Sequence, residues 1–113
     1  MASENVQAVR KHYHEFFNLG LETAYDEIAH PEYCQNGKPS DGQSLKKWVA
    51  GLRKEIDINV AIITEIEEGD RVGIVWITNS VLKSTGERLP PVTGMNLYEF
   101  RDGKIINNWH CRS

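Results

Sequence analysis

The order of elements along the chain predicts an α+β fold, with helices first and an antiparallel sheet after them. Three observations carry this expectation. Apolar residues recur at three- and four-residue steps in the first third of the chain. The second half is rich in β-branched residues. Two compact turn sequences, Glu68-Gly69-Asp70 and Asp102-Gly103, cut that half into strands.

Residues 4 to 19 read as a helix, with Val6, Val9, Tyr13, Phe16 and Phe17 on one stripe. Ser3 can cap it and Gly20 ends it. A short second helix covers 21 to 29, and Pro31 stops it. Residues 30 to 43 read as a loop, with a short strand near Tyr33 to Gln35. Ser44 is expected to cap a third helix that runs to Glu55. Strands follow over 59 to 67, 71 to 83, 92 to 101 and 104 to 112. The sum is three helices packed on one face of a four-stranded meander, in a single domain spanning residues 1–113.

Composition narrows the function. The chain has 113 residues, of which 40% are apolar and 26% charged, enough for one real core. Its net charge of −3 argues against a nucleic-acid partner. The basic cluster Lys46, Lys47, Arg53 and Lys54 reads as a solvated helix face. No apolar run is long enough to cross a bilayer. Met1-Ala2-Ser3-Glu4-Asn5 carries no basic or apolar leader, so a cytoplasmic location is expected. Cys34 and Cys111 belong to no Cys-x-x-Cys pair, so neither a zinc site nor a disulfide is expected.

Two stretches together resemble a known family. One is Tyr13-His14-Glu15-Phe16-Phe17-Asn18-Leu19-Gly20. The other is Leu89-Pro90-Pro91-Val92-Thr93-Gly94, followed by Tyr98-Glu99-Phe100-Arg101-Asp102-Gly103-Lys104-Ile105 and Trp109. In order and spacing they resemble the SnoaL-like polyketide cyclases of the nuclear transport factor 2-like superfamily. Gly69-Asp70-Arg71-Val72 and Trp76 also fit. The resemblance implies a curved antiparallel sheet wrapped around N-terminal helices, a cystatin-like cone with a pocket at its wide end. It also implies dimers formed through the sheet.

Strand alternation, set against that cone, predicts which side chains face the pocket. Asn96, Tyr98 and Phe100 are expected to point inward. On the last strand Ile105, Asn107, Trp109, Cys111 and Ser113 share the inward face, and Ile106, Asn108, His110 and Arg112 the outer one. The resemblance places Tyr13 at an oxyanion-binding position and Asn96 where isomerase relatives carry a protonated aspartic acid. Asn36 or Gln35 falls at the general base. Neither can take a proton at neutral pH, so steroid isomerisation is not expected. The inward positions after Trp109 also lack the aspartate that cyclase and epoxide hydrolase relatives use.

The expected lining is Tyr13, Asn36, Trp48 or Trp76, Asn96, Tyr98, Trp109 and Cys111, suited to a mostly apolar molecule with a carbonyl or hydroxyl. Each residue also has a plain reading. Tyr13 and Trp109 could be core, Cys111 a small packing residue and Trp76 either core or wall. An inward Asn96 must be hydrogen-bonded, and a register error of one would turn it outward. His12 and His14 point apart on a helix and cannot share a metal. His12 is expected at the surface, and His110 on the outer face. His30 is the reserve general base, with a loop or capping role as its plain reading. Glu65 is the one strand carboxylate that could enter.

The expected activity is that of a small-molecule enzyme of cyclase, isomerase or dehydratase type. Tyr13 and Asn96 would polarise a carbonyl and His30 would move the proton, with no metal or other cofactor. The alternative is a non-catalytic binding or dimerising module of the same fold. Met95, Leu97 and Ile106, with Val75 and Ile77, are expected to form an apolar outer face through which the chain pairs as a homodimer. No membrane partner is expected.

Overall fold

A computed structural model describes residues 3–40 and 42–112 of the chain. Helix α1, Glu4–Lys11, starts where the Ser3 hydroxyl accepts the Val6 N–H at 3.1 Å. It continues as a π-helical segment, His12–Asn18, in which Leu19 N–H reaches the His14 carbonyl five residues back. Sequence periodicity predicted one plain helix here. The wider turn brings the sequence neighbours His12 and Tyr13 into the interior together. His12, expected at the surface, is buried.

Helix α2, Glu22–Ile28, runs straight into strand β1, Ala29–Gln35. That strand takes up residues 30–35 of the stretch expected to be loop and is longer than the short strand expected near Tyr33 to Gln35. Its polar sequence and Pro31 conceal it, and its pairing with a distant strand creates it. Strand β2, Lys38–Pro39, turns back on β1 through Asn36 and Gly37, both at positive φ. Helix α3, Gln43–Glu55, is capped at Gly42, not Ser44. Asp41, read as part of the turn before it, lies outside the described residues, as does Ser113.

Strands β3, Ile56–Asp57, and β6, Val81–Leu82, form a small ribbon of their own. The expected strand 71 to 83 therefore breaks after Thr78. Strands β4, Val60–Glu68, β5, Arg71–Thr78, β7, Thr93–Arg101, and β8, Lys104–Arg112, make the meander. The main sheet has six strands in the order β2-β1-β8-β7-β5-β4, antiparallel except for the parallel pair of β1 and β8.

The helices cover one face of this sheet. Val6, Val9 and Tyr13 pack on Val72, Ile74, Trp76, Tyr98 and Phe100, with Tyr33 and Ile105 closing the cluster. A smaller cluster of Phe16, Ala24, Tyr25 and Val49 joins the three helices to one another. Asn18 ties the end of the π-helical segment to β4, because its side-chain amide bonds both backbone groups of Val60 at 3.0 and 2.8 Å. Arg53 of α3 donates to the Phe17 and Asn18 carbonyls at that end.

The expected facing of β8 requires a correction. A β-bulge interrupts the pairing of β7 and β8 between Glu99 and Phe100. Ile105 faces inward opposite Phe100, but beyond the bulge Asn108 lies opposite Tyr98 and His110 opposite Asn96. The extra residue reverses the alternation. Trp109 and Cys111 are consequently on the outer face with Leu97 and Met95, and His110 is on the inner one.

Candidate functional site

The interior between α1 and the sheet holds an unusual number of polar side chains. Asn96 is buried, as β7 alternation predicted, and it links two neighbours. Its Oδ1 accepts the Trp76 indole N–H at 2.7 Å, and its Nδ2 donates to Asn108 Oδ1 at 2.7 Å. Asn108 in turn hydrogen-bonds the Tyr33 side chain. Beside this chain the hydroxyls of Tyr13 and Tyr98 lie 2.5 Å apart. Burying these asparagine, tryptophan and tyrosine groups is tolerable because they pair with one another.

Burial sets the protonation states. Desolvation pushes Tyr13, Tyr33 and Tyr98 up, so all three stay neutral hydroxyls. His12 stacks on Phe16 with ring centroids 5.4 Å apart and stands edge-on to Tyr13 and Tyr98. Desolvation lowers its pKa to about 4, and its Nδ1 has no hydrogen-bond partner among the described residues. The site thus offers neutral donors and a neutral imidazole, which suit an oxygen that gains negative charge.

The remaining expected residues are dispersed. Trp76 is buried and faces inward, whereas Trp48 is 52% exposed on α3. Asn36 sits in the β1–β2 turn, where its Oδ1 accepts the His110 backbone N–H at 2.9 Å. His30 Nδ1 accepts the Glu32 N–H at 3.0 Å, so the lone pair of that nitrogen serves a local turn. Trp109 is 43% exposed, and its indole donates to Glu99 Oε1 at 2.6 Å. Cys111 is exposed beside Met95.

Glu65 does face the helix side, opposite Ile74, but Arg10 holds it in a two-point ion pair that keeps its carboxyl below the usual range. The Glu99 carboxyl is held down by Trp109, Asn107 and Arg71 on the outer face. Among the described residues no group of three His, Cys, Asp or Glu side chains could hold a metal.

Sequence reasoning missed the burial of His12, Tyr33 and Asn108 and the inner-face position of the exposed His110. The consecutive asparagines Asn107 and Asn108 break the alternation of β8 and are the one visible sign of its bulge. Tyr33 was placed in a short strand inside a loop, with no facing assigned to it. A π-helical turn has no sequence signature that could have recovered His12.

The family model for the SnoaL-like polyketide cyclases matches residues 7–112. The chain belongs to this family. Its fold matches that of an inferred polyketide cyclase from Acidithiobacillus ferrooxidans with a TM-score of 0.85 at 20% identity, covering 100% of this chain and 90% of that one. TsrD from Streptomyces laurentii matches with a TM-score of 0.82 at 16% identity, covering 100% and 91%. IdmH from Streptomyces antibioticus, an inferred polyketide cyclase, matches at 0.81 and 17%, covering 98% and 93%. No curated protein sequence matches the chain. At such identities the structural likeness establishes the fold. This SnoaL-like chain has an aromatic interior whose buried polar side chains include Asn96, Asn108, His12 and the hydroxyls of Tyr13 and Tyr98. Among the described residues no helix is long and apolar enough to cross a membrane.

Proposed function

We propose that this SnoaL-like protein is a cofactor-independent enzyme of cyclase, isomerase or dehydratase type acting on an apolar, carbonyl-bearing small molecule. The observation that carries the reading is the pair of buried neutral phenols, Tyr13 and Tyr98, beside the amide of Asn96. A ligand oxygen can replace one phenol as the hydrogen-bond partner of the other. Hydroxyls aimed at one point in a dry interior stabilise an enolate far better than water does. Trp76 would form the apolar wall against which the carbon skeleton rests.

The test uses 2-tetralone, a flat apolar ketone, and follows quenching of tryptophan fluorescence. Saturable binding is expected. Asn96→Leu should weaken it about tenfold, the worth of roughly one hydrogen bond. Absence of binding, or equal binding by Asn96→Leu and Tyr98→Phe, overturns the reading.

A second reading, a binding module without catalysis, is favoured by one observation. The strand carboxylates Glu65 and Glu99 are both committed to other partners.

A further inference from the structure

The hydrogen-bond chain through Asn96 has a direction, and one residue sets it. An asparagine amide has almost the same shape either way round, with an acceptor on one side and donors on the other. The indole of Trp76 has only its N–H and no acceptor. The Asn96 atom that meets it at 2.7 Å is therefore Oδ1. Nδ2 is left to meet Asn108 at 2.7 Å, and the Asn108 atom that receives it is therefore Oδ1. Asn108 in turn keeps its own N–H groups for the Tyr33 side chain. One buried indole N–H thus orders two amides.

Strand register shows where the two ends of the Asn96 amide lie. Trp76 stands opposite Gly94 of β7, and Asn108 stands opposite Tyr98. The oxygen is drawn toward the Gly94 end of the strand and the nitrogen toward the Tyr98 end. Tyr98 carries the hydroxyl that pairs with Tyr13. Nδ2 has two N–H groups and Asn108 takes one of them, so the second is left on the side of the phenols.

We propose that Trp76 is the positioning residue that sets the ligand class of this site. By holding Asn96 with its N–H toward the phenols, it selects a molecule that presents a bare acceptor oxygen, a ketone, over one of like shape that presents only a donor. This inference rests on the small-molecule reading above. With the amide turned over, its carbonyl would lie on the phenol side and favour a donor instead. In wild type that turn would set the Trp76 N–H against the N–H groups of Asn96. A buried donor would then be left without a partner, which is costlier than the bond it replaces.

The experiment compares 2-tetralone with indole, two flat bicyclic molecules of similar size, by isothermal titration calorimetry. The ketone presents an acceptor and no donor, and indole a donor and no acceptor. Wild type should bind 2-tetralone at least about tenfold tighter than indole, the worth of roughly one hydrogen bond. Trp76→Phe keeps an aromatic wall but releases the amide, so the preference should largely vanish or reverse. If the indole serves only as packing, Trp76→Phe changes both affinities alike and leaves their ratio at the wild-type value, which overturns the proposal. Should Trp76→Phe lose its fold by circular dichroism, proton NMR of wild type decides. The Trp76 indole proton should stay protected from exchange with 2-tetralone bound, because Asn96 Oδ1 still holds it. Loss of that protection on binding would mean that the amide has turned, and the proposal falls. Equal binding of the two probes by wild type also overturns it and leaves the site reading intact. Absence of 2-tetralone binding overturns both.

Discussion

The hydroxyls of Tyr13 and Tyr98 satisfy each other in an interior that water does not reach. Removing one strands the other, at about 1–3 kcal/mol. Tyr13→Phe and Tyr98→Phe should each lose that much stability in urea unfolding. The double variant should lose clearly less than the two losses added, because no stranded hydroxyl remains. Strictly additive losses would mean that the two hydroxyls do not depend on one another. His12 makes a pH-dependent prediction. Its folded pKa is about 4 against an ordinary value of 6.5. As pH falls below 6.5 the unfolded chain takes the proton first, so stability declines between pH 6.5 and 4 and is whole above that window. The full loss is on the order of 3 kcal/mol. His12→Phe should flatten the pH dependence of the urea midpoint across this window, and an unchanged slope would place the titration elsewhere.

Strand β7 shows how elements constrain one another. Gly94 lies under the Trp76 indole, and a Cβ there would collide with the ring. Gly94→Ala should push Trp76 out of its place beside Asn96, cost about 1–3 kcal/mol and shift tryptophan emission to the red. Unshifted emission would show that the sheet can absorb the methyl group. The same strand was read correctly in advance, because Asn96, Tyr98 and Phe100 alternate without interruption. Tyr13, expected on the apolar stripe of the first helix, is likewise buried, in the π-helical segment that continues α1. Strand β8 could not be read from alternation alone, since one bulge residue exchanges Trp109 for His110 and Asn107 for Asn108. Strand β1 was seen only in part, near Tyr33 to Gln35, for another reason. Its partner is β8, at the other end of the chain, and local sequence carries no trace of such a pairing. The elements with local patterns were legible, and the site residues that depend on distant pairing or an irregular turn were not.

At the scale of the molecule the outer sheet face exposes several large apolar side chains. Ile66, Val75, Met95, Leu97, Trp109 and Cys111 line a hollow of about 390 Å³ there. Ile66 is 72% exposed and Met95 59%. Glu99 and Arg71 at its margin are already paired with one another. We propose that a second copy of the chain covers this face, since a patch so apolar, with its charges satisfied internally, fits a twofold contact. Leu97→Glu would set two like charges near the twofold axis. Sedimentation at micromolar concentration should then show wild type as a dimer and Leu97→Glu as a monomer, and a monomeric wild type would end the proposal. The parallel pairing of β1 with β8 bears on the folding route. The hairpins joining β4, β5, β7 and β8 can form from neighbouring residues, but residues 29–35 must wait for residues 104–112 before they have a partner. Loop closure over that span is slow relative to hairpin formation. Pulse-labelled hydrogen exchange should therefore show amides of β5 and β7 protected early and those of β1 late. During synthesis, Tyr33 would join the interior only after residues 104–112 have left the ribosome.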